Sequence, residues 1–346
     1  MNNNDLFNFI LSCVIDVDQN GYAKFEAIAE KETDVKKFIA DNKLENIKMS
    51  EFMELAEEYR SSIQYRDKLR AKKIKIFMSK SPEDIAKLPL EEKVEILETI
   101  FGYGLTDNEL KDVCSKNKEK LTSLLYSIEL PKEFWKQEEK QADRFVALVA
   151  NNKKITDNMK NWNNLSIDDK KTTIMETAKI INYVYNTSLD IGFFTPEEFR
   201  RNNNLNKHSH VPGAIHRGGK LFFNIERLEN SNNYMGVSVV FHEFMHKRQH
   251  QENFSPLIRR LFDCQTYHAE RYEMKTIDKN SKEFGDIYSL MQKEIHAFAM
   301  QKYVEDNITN KTGIEKTKVA ETKDVKQVHN KSFAMADISK ARYNEK

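Results

Sequence analysis

Two of the nine histidines in this 346-residue chain stand four apart in Val239-Val240-Phe241-His242-Glu243-Phe244-Met245-His246, a His-Glu-x-x-His motif set in an apolar run. On an α-helix, residues four apart lie about 6 Å apart along the axis and nearly above one another. His242 and His246 can therefore offer two imidazole nitrogens from one face to a single divalent ion, at the roughly 2.0–2.1 Å that Zn²⁺ prefers. Glu243 follows the first histidine directly and points to the flank of that face. From there a carboxylate reaches a water beside the ion without being a ligand, as a general base must. The helix that this chemistry needs is supported by Val237, Val239, Val240, Phe241, Phe244 and Met245, with no Pro or Gly between Val237 and His250. Burying two His and a Glu in such a helix is costly unless they are paired or hold a metal. A hydrogen-bonded pair of core histidines is the competing reading.

A catalytic zinc needs a third protein ligand and an open fourth position. His250 continues the series but sits about 12 Å along the helix from His242, too far to share its ion. A histidine six residues after His246 would make the metzincin arrangement; Glu252 stands there, and Gln249 stands where that arrangement has Gly. Two later segments offer candidates. His268, Glu270 and Glu273 fall together in one, and Glu294 lies in the other beside Ile295, Ala297, Phe298 and Ala299. A charge in that second, apolar setting calls for a partner, and small Ala297 one turn on lets a neighbouring helix come close.

His242-Glu243-x-x-His246 followed, after 47 intervening residues, by Glu294-x-x-Ala297 resembles the gluzincin branch of zinc metallopeptidases. Gln249 after the second histidine and Tyr288 ahead of Glu294 are similar to a looser bacterial and phage group of zincin-like domains. The resemblance covers roughly residues 160 to 305. It implies Zn²⁺ held by His242, His246 and Glu294, Glu243 as general base, and hydrolysis of a peptide or protein substrate. Tyr288 and His296, together with Tyr267 and His268, have side chains suited to stabilising the oxyanion of such a reaction.

The elements that must position these residues are mostly helical. Only 10 Gly and 6 Pro occur, which favours long helices over a sandwich or barrel. The expected class is α+β, predominantly helical, with a helical domain over 1–130, a connecting helix and linker over 131–165, and a zincin-like domain over 166–305. In that last domain a small sheet packs on the metal-motif helix, and a polar, partly flexible tail fills 306–346. Within the first domain, Leu6–Ile15 is read as a core helix, Ser50 as the cap of a helix bearing Phe52, Leu55 and Tyr59, Ser81-Pro82 as a helix start, and Thr106–Glu109 as a capping box. Val94, Leu97 and Phe101 mark an apolar stripe. Residues 151–164 read as loop, and Ser166 as the cap of a helix striped by Ile174, Ala178, Ile181 and Tyr185. Leu189–Phe194 and Lys220–Ile225 read as strands, the second behind a Gly218-Gly219 turn. Lys331–Ile338, more apolar than its surroundings, is expected to dock on the body or on a partner.

With 55 basic against 54 acidic residues the net charge is +1, so no global field points to nucleic acid. The basic run Arg66–Lys80 reads as a solvated helix face. Cys13, Cys114 and Cys264 form neither a disulfide framework nor a Cys-x-x-Cys site, which favours a reducing compartment. Met1–Asp5 lacks a basic n-region, and the apolar run behind it is too short to span a bilayer. A cytoplasmic protein, or one secreted without an N-terminal signal peptide, is expected. The alternative from another class is a helical interaction protein, meeting a partner through its N-terminal helices and carrying a structural or inactive metal domain.

Overall fold

The computed structural model describes residues 14–17, 23–25, 40, 47–51, 73–101, 116–207, 211–217, 220–250, 254–264, 290–318, 330 and 332–338. They are predominantly helical with a small three-stranded sheet. The chain divides into two compact units, Met1–Ser81 with Glu95–Asn117, and Pro82–Val94 with Lys118–Lys346. No helix among the described residues is long and apolar enough to cross a membrane.

In the first unit, β1 (Val14–Val17) pairs antiparallel with β2 (Ala23–Phe25). Val14 and Ile15 are thus extended, not the end of the helix expected over Leu6–Ile15. Two consecutive β-branched residues favour the pleated backbone over the helix. Residues 49–51 are already helical, so Ser50 lies inside a turn and does not cap it. The basic segment is helical over 73–79, where Phe77 is buried and Lys73 pairs with Glu95 at 2.7 Å. Residues 66–72, the Phe52–Tyr59 stripe and the Thr106–Glu109 box lie outside the described residues.

The second unit opens with α1 (Pro82–Ala86), which has Pro at its first position as expected; α2 (Leu90–Phe101) follows, its residues from Glu95 on belonging to the first unit, and α3 (Lys118–Tyr126) resumes the second. Ser123 ties α3 to α1 through the Pro82 carbonyl at 2.7 Å. After Pro131, α4 (Lys132–Asn151) buries Phe134, Trp135, Glu138, Ala142, Phe145, Val146 and Val149, a single stripe at helical spacing. The expected loop over 151–164 is instead α5 (Lys153–Lys160) and a 3₁₀ turn, Trp162–Asn164. Asn152 caps α5 by accepting from the Ile155 N–H, and Ile155, Met159 and Trp162 are buried. An apolar stripe of three residues outweighs the polar composition around it. Ser166 caps α6 (Ile167–Tyr185), whose expected stripe is buried and which ends on Asn186 in the left-handed region.

The sheet follows. β3 (Asp190–Phe194) is stopped by Thr195, which forms a capping box with Glu198 at the start of α7 (Pro196–Asn202). β4 (Ala214–Arg217) was not anticipated; β5 (Lys220–Asn224) was expected one residue longer, but Asn224 turns the chain by capping α8 (Ile225–Glu229). The strand order is β3-β5-β4, with β3 parallel and β4 antiparallel to β5. Gly218 and Gly219 lie outside the described residues.

A π-helical turn (Met235–Val239) leads into α9 (Val240–Gln249), which carries the His-Glu-x-x-His motif. α10 (Gln292–Thr312) packs on both α4 and α9, while α6 packs on β3 and on α9. α10 runs past residue 306, where the tail was expected to begin, and ends on Gly313 at φ 67°, a conformation that glycine adopts without strain. Residues 332–338 are helical and dock on α10, with Phe333 against Phe298 at 5.1 Å between ring centroids and Asp337 paired to Lys302 at 2.6 Å.

Candidate metal centre

α9 is fixed from its apolar side. Phe241 packs on Phe145 of α4 at 4.7 Å and Phe244 on Tyr185 of α6 at 4.8 Å. The π turn at its start brings the backbone against α6: Thr177 Oγ1 donates to the Gly236 carbonyl at 2.7 Å. Gly236 is there because a Cβ would lie 2.9 Å from the Trp162 ring and 3.1 Å from Thr173. Such single widened turns occur often at functional sites. Ser238 in the same turn donates to Glu305 of α10 at 2.6 Å.

With those faces committed, His242 and His246 turn towards α10. Their rings are 5.0 Å apart and nearly perpendicular. Glu294, in the first turn of α10, brings Oε2 to 3.9 Å from His242 Nε2 and 3.6 Å from His246 Nε2. The three donor atoms all lie within 4.8 Å of one another, and the group is capable of holding a metal ion. Ligand atoms at tetrahedral angles round an ion at about 2.0–2.1 Å are roughly 3.4 Å apart, so the two histidine–carboxylate distances are within a few tenths of an ångström of that spacing. His242 and Glu294 are buried, and His246 is partly open. Phe298 covers His242 edge-on at 4.5 Å.

Electrostatics suit a cation. Burial, then the Lys293 ammonium, pushes His246 down to about 3, so its imidazole is neutral and able to donate a lone pair. Lys293 Nζ is 3.7 Å from Glu294 Oε1, on the other oxygen from the one that faces the histidines. Burial, reinforced by the charge of Glu294 and opposed by Lys293, pushes Glu243 up to about 7. Among the described residues its carboxylate makes no hydrogen bond or ion pair.

Of the expected residues, His242, Glu243, His246 and Glu294 come together. His296 does not face the group. A two-residue step on a helix turns a side chain by about 200°, and His296 is instead fully buried among Phe134, Trp135, Phe254 and Phe262. It lies 3.3 Å from Glu138 and 3.1 Å from Gln249, and is no oxyanion donor in this position. Tyr288, Tyr267, His268, Glu270 and Glu273 lie outside the described residues. Glu138, Arg248 and Lys293 carry little local signal in the sequence. A charged pair such as Glu138 and Arg248, 110 residues apart, acquires meaning only when both side chains are buried together.

No protein-family model matches the chain, and neither a curated protein nor a solved structure matches it.

Proposed function

We propose that the chain is a zinc-dependent metallopeptidase of gluzincin type, hydrolysing peptide bonds in a peptide or protein substrate. The observation that carries this reading is the convergence of His242 and His246 from α9 and Glu294 from α10 on one small volume, with Glu243 next to His242 on α9 and within electrostatic reach of Glu294. Two neutral imidazoles and one carboxylate are the donor set of catalytic zinc sites that keep a position open. Bound zinc would supply Lewis acidity to a water and to the scissile carbonyl.

The chain's own residues do the rest. Glu243 takes the proton of the water as its oxygen attacks the carbonyl carbon, and returns it to the amine as the carbon–nitrogen bond breaks. A carboxylate raised towards neutrality is matched to both transfers. His242 is held by Phe298 and the packed face of α9; Glu294 is held between the two histidines and Lys293.

Elemental analysis of wild type, His246→Ala and Glu294→Ala tests the reading. About one zinc per chain, lost in both variants, is the expected result, with hydrolysis of a peptide library by wild type alone. Absence of zinc from wild type after purification without chelator and addition of zinc overturns it, and leaves a helical interaction protein as the better account.

A further inference from the structure

A buried polar network runs outward from the metal centre, and hydrogen-bond chemistry fixes the direction of the steps that pass through Gln249. His246 Nδ1 lies 3.3 Å from Gln249 Oε1, one turn further along α9. Gln249 Nε2 lies 2.7 Å from the Lys293 carbonyl and 3.1 Å from His296 Nδ1. His296 Nε2 lies 3.3 Å from Glu138 Oε2, and Glu138 accepts from Arg248 Nε and Nη2 at 2.6–3.1 Å. Gln249, His296 and Glu138 are fully buried and Arg248 nearly so.

A backbone carbonyl only accepts, so the Gln249 atom facing Lys293 must be the amide nitrogen. The atom facing His246 is therefore the amide oxygen, which only accepts. His246 must then carry its proton on Nδ1, which leaves Nε2, the atom nearest Glu294, with a free lone pair. The same amide nitrogen donates its second hydrogen to His296 Nδ1. With Nδ1 accepting, the proton of that histidine is on Nε2, which lies 3.3 Å from Glu138 Oε2 but outside hydrogen-bond geometry. Were the amide reversed, its NH₂ would select the Nε2–H tautomer of His246 and block ligation.

We infer that Gln249, locked by the Lys293 carbonyl and by the His296–Glu138–Arg248 chain, is the positioning residue that holds His246 in the metal-binding tautomer. The inference rests on the metal-binding half of the proposed function and not on peptidase activity. The lock joins three helices, since Glu138 belongs to α4, Gln249 and Arg248 to α9, and Lys293 and His296 to α10. Residues on α4 with no access to the ion thus bear on its affinity. Loss of a partner that orients a ligand histidine costs about 10–100-fold in metal affinity.

Three measurements on the full chain test this. The first is the His246 tautomer in metal-free protein, from ¹⁵N NMR of histidine-labelled wild type assigned with His246→Ala. The second is the zinc dissociation constant by competition with a chromophoric chelator, for wild type, Gln249→Met and Gln249→Glu. The third is stability to denaturant of the same proteins without metal. The expected results are an Nδ1–H tautomer, about 10–100-fold weaker zinc binding in Gln249→Met, and recovery of part of that loss in Gln249→Glu, which restores the acceptor for His246 but not the donor to the Lys293 carbonyl. A network that only stabilised the fold would lower stability in both variants without the recovery. Wild-type zinc affinity in a folded Gln249→Met, or an Nε2–H tautomer in wild type, overturns the inference. If Gln249→Met does not fold, the wild-type tautomer decides alone. If wild type binds no zinc, the metal reading fails by itself, and the tautomer still reports whether the lock exists.

Discussion

Glu243 meets two opposed requirements: a base must be ionised to take a proton, and weakly acidic enough to hold it until the amine leaves. Burial and the charge of Glu294 raise it, whereas Lys293 lowers it. Replacing it by Gln keeps the shape and removes the basic oxygen. Glu243→Gln should retain about one zinc per chain while losing about 10²–10⁴-fold in hydrolysis, the usual worth of a positioned base. Elemental analysis beside a peptide assay checks both halves, and loss of zinc in this variant would mean that Glu243 is a ligand. Lys293 gives a second handle. Because its ammonium favours the ionised form of Glu243, Lys293→Met should raise the pKa of that carboxylate. Activity is lost as pH falls through the pKa of the base, so the acidic limb of kcat/KM should move to higher pH. An unmoved limb would show that another group controls it.

α9 and α10 were legible because their signals are local: spacing of four for the histidines, an acid stranded in an apolar segment for Glu294. The π turn ahead of α9 was not, since its widening is set by contacts from Trp162 and Thr177, 59 or more residues away in sequence. For the same reason a side chain suited to an oxyanion does not reveal that His296 turns away from the site, and Gln249 shows no partner until the Lys293 carbonyl, 44 residues on, is brought to it. α5 was hidden by Asn and Lys around a stripe of Ile155, Met159 and Trp162. The π turn yields a prediction. Trp162 cannot retreat from a new methyl at position 236, because its indole N–H is held by Ser231 at 3.1 Å and Lys170 sits over its ring. Gly236→Ala should therefore cost about 1–3 kcal/mol, the typical price of overpacking. A lowered denaturant midpoint, together with weaker zinc binding as α9 shifts, is the expected readout; an unchanged midpoint would show that the turn has room to relax.

The network beyond the metal centre ties the stability of the second unit to pH. Burial by itself would raise Glu138; the hydrogen bonds and charge of Arg248, with His296 beside the carboxylate, outweigh it and pull the carboxyl from an ordinary 4.5 down to about 2. The folded carboxyl is thus the stronger acid. Its contribution is fully present above about pH 4.5 and is lost as pH falls towards 2, amounting to about 3 kcal/mol for a shift of this size. Arg248, buried between the Tyr185 and Phe254 rings at 4.9 and 5.1 Å, has Glu138 as its ion-pair partner. Glu138→Gln should destabilise the metal-free protein by roughly 3–5 kcal/mol at pH 7, because the guanidinium is left buried without its counter-charge. The deficit against wild type should shrink steadily below pH 4.5, since wild type then loses by protonation what the variant lacks by substitution. Denaturant unfolding of both proteins at pH 7, 4 and 3, with chelator present so that ligand protonation does not contribute, measures the difference directly. A deficit that stays constant down to pH 3 would place the cost in altered packing of α4 and not in the carboxylate's charge.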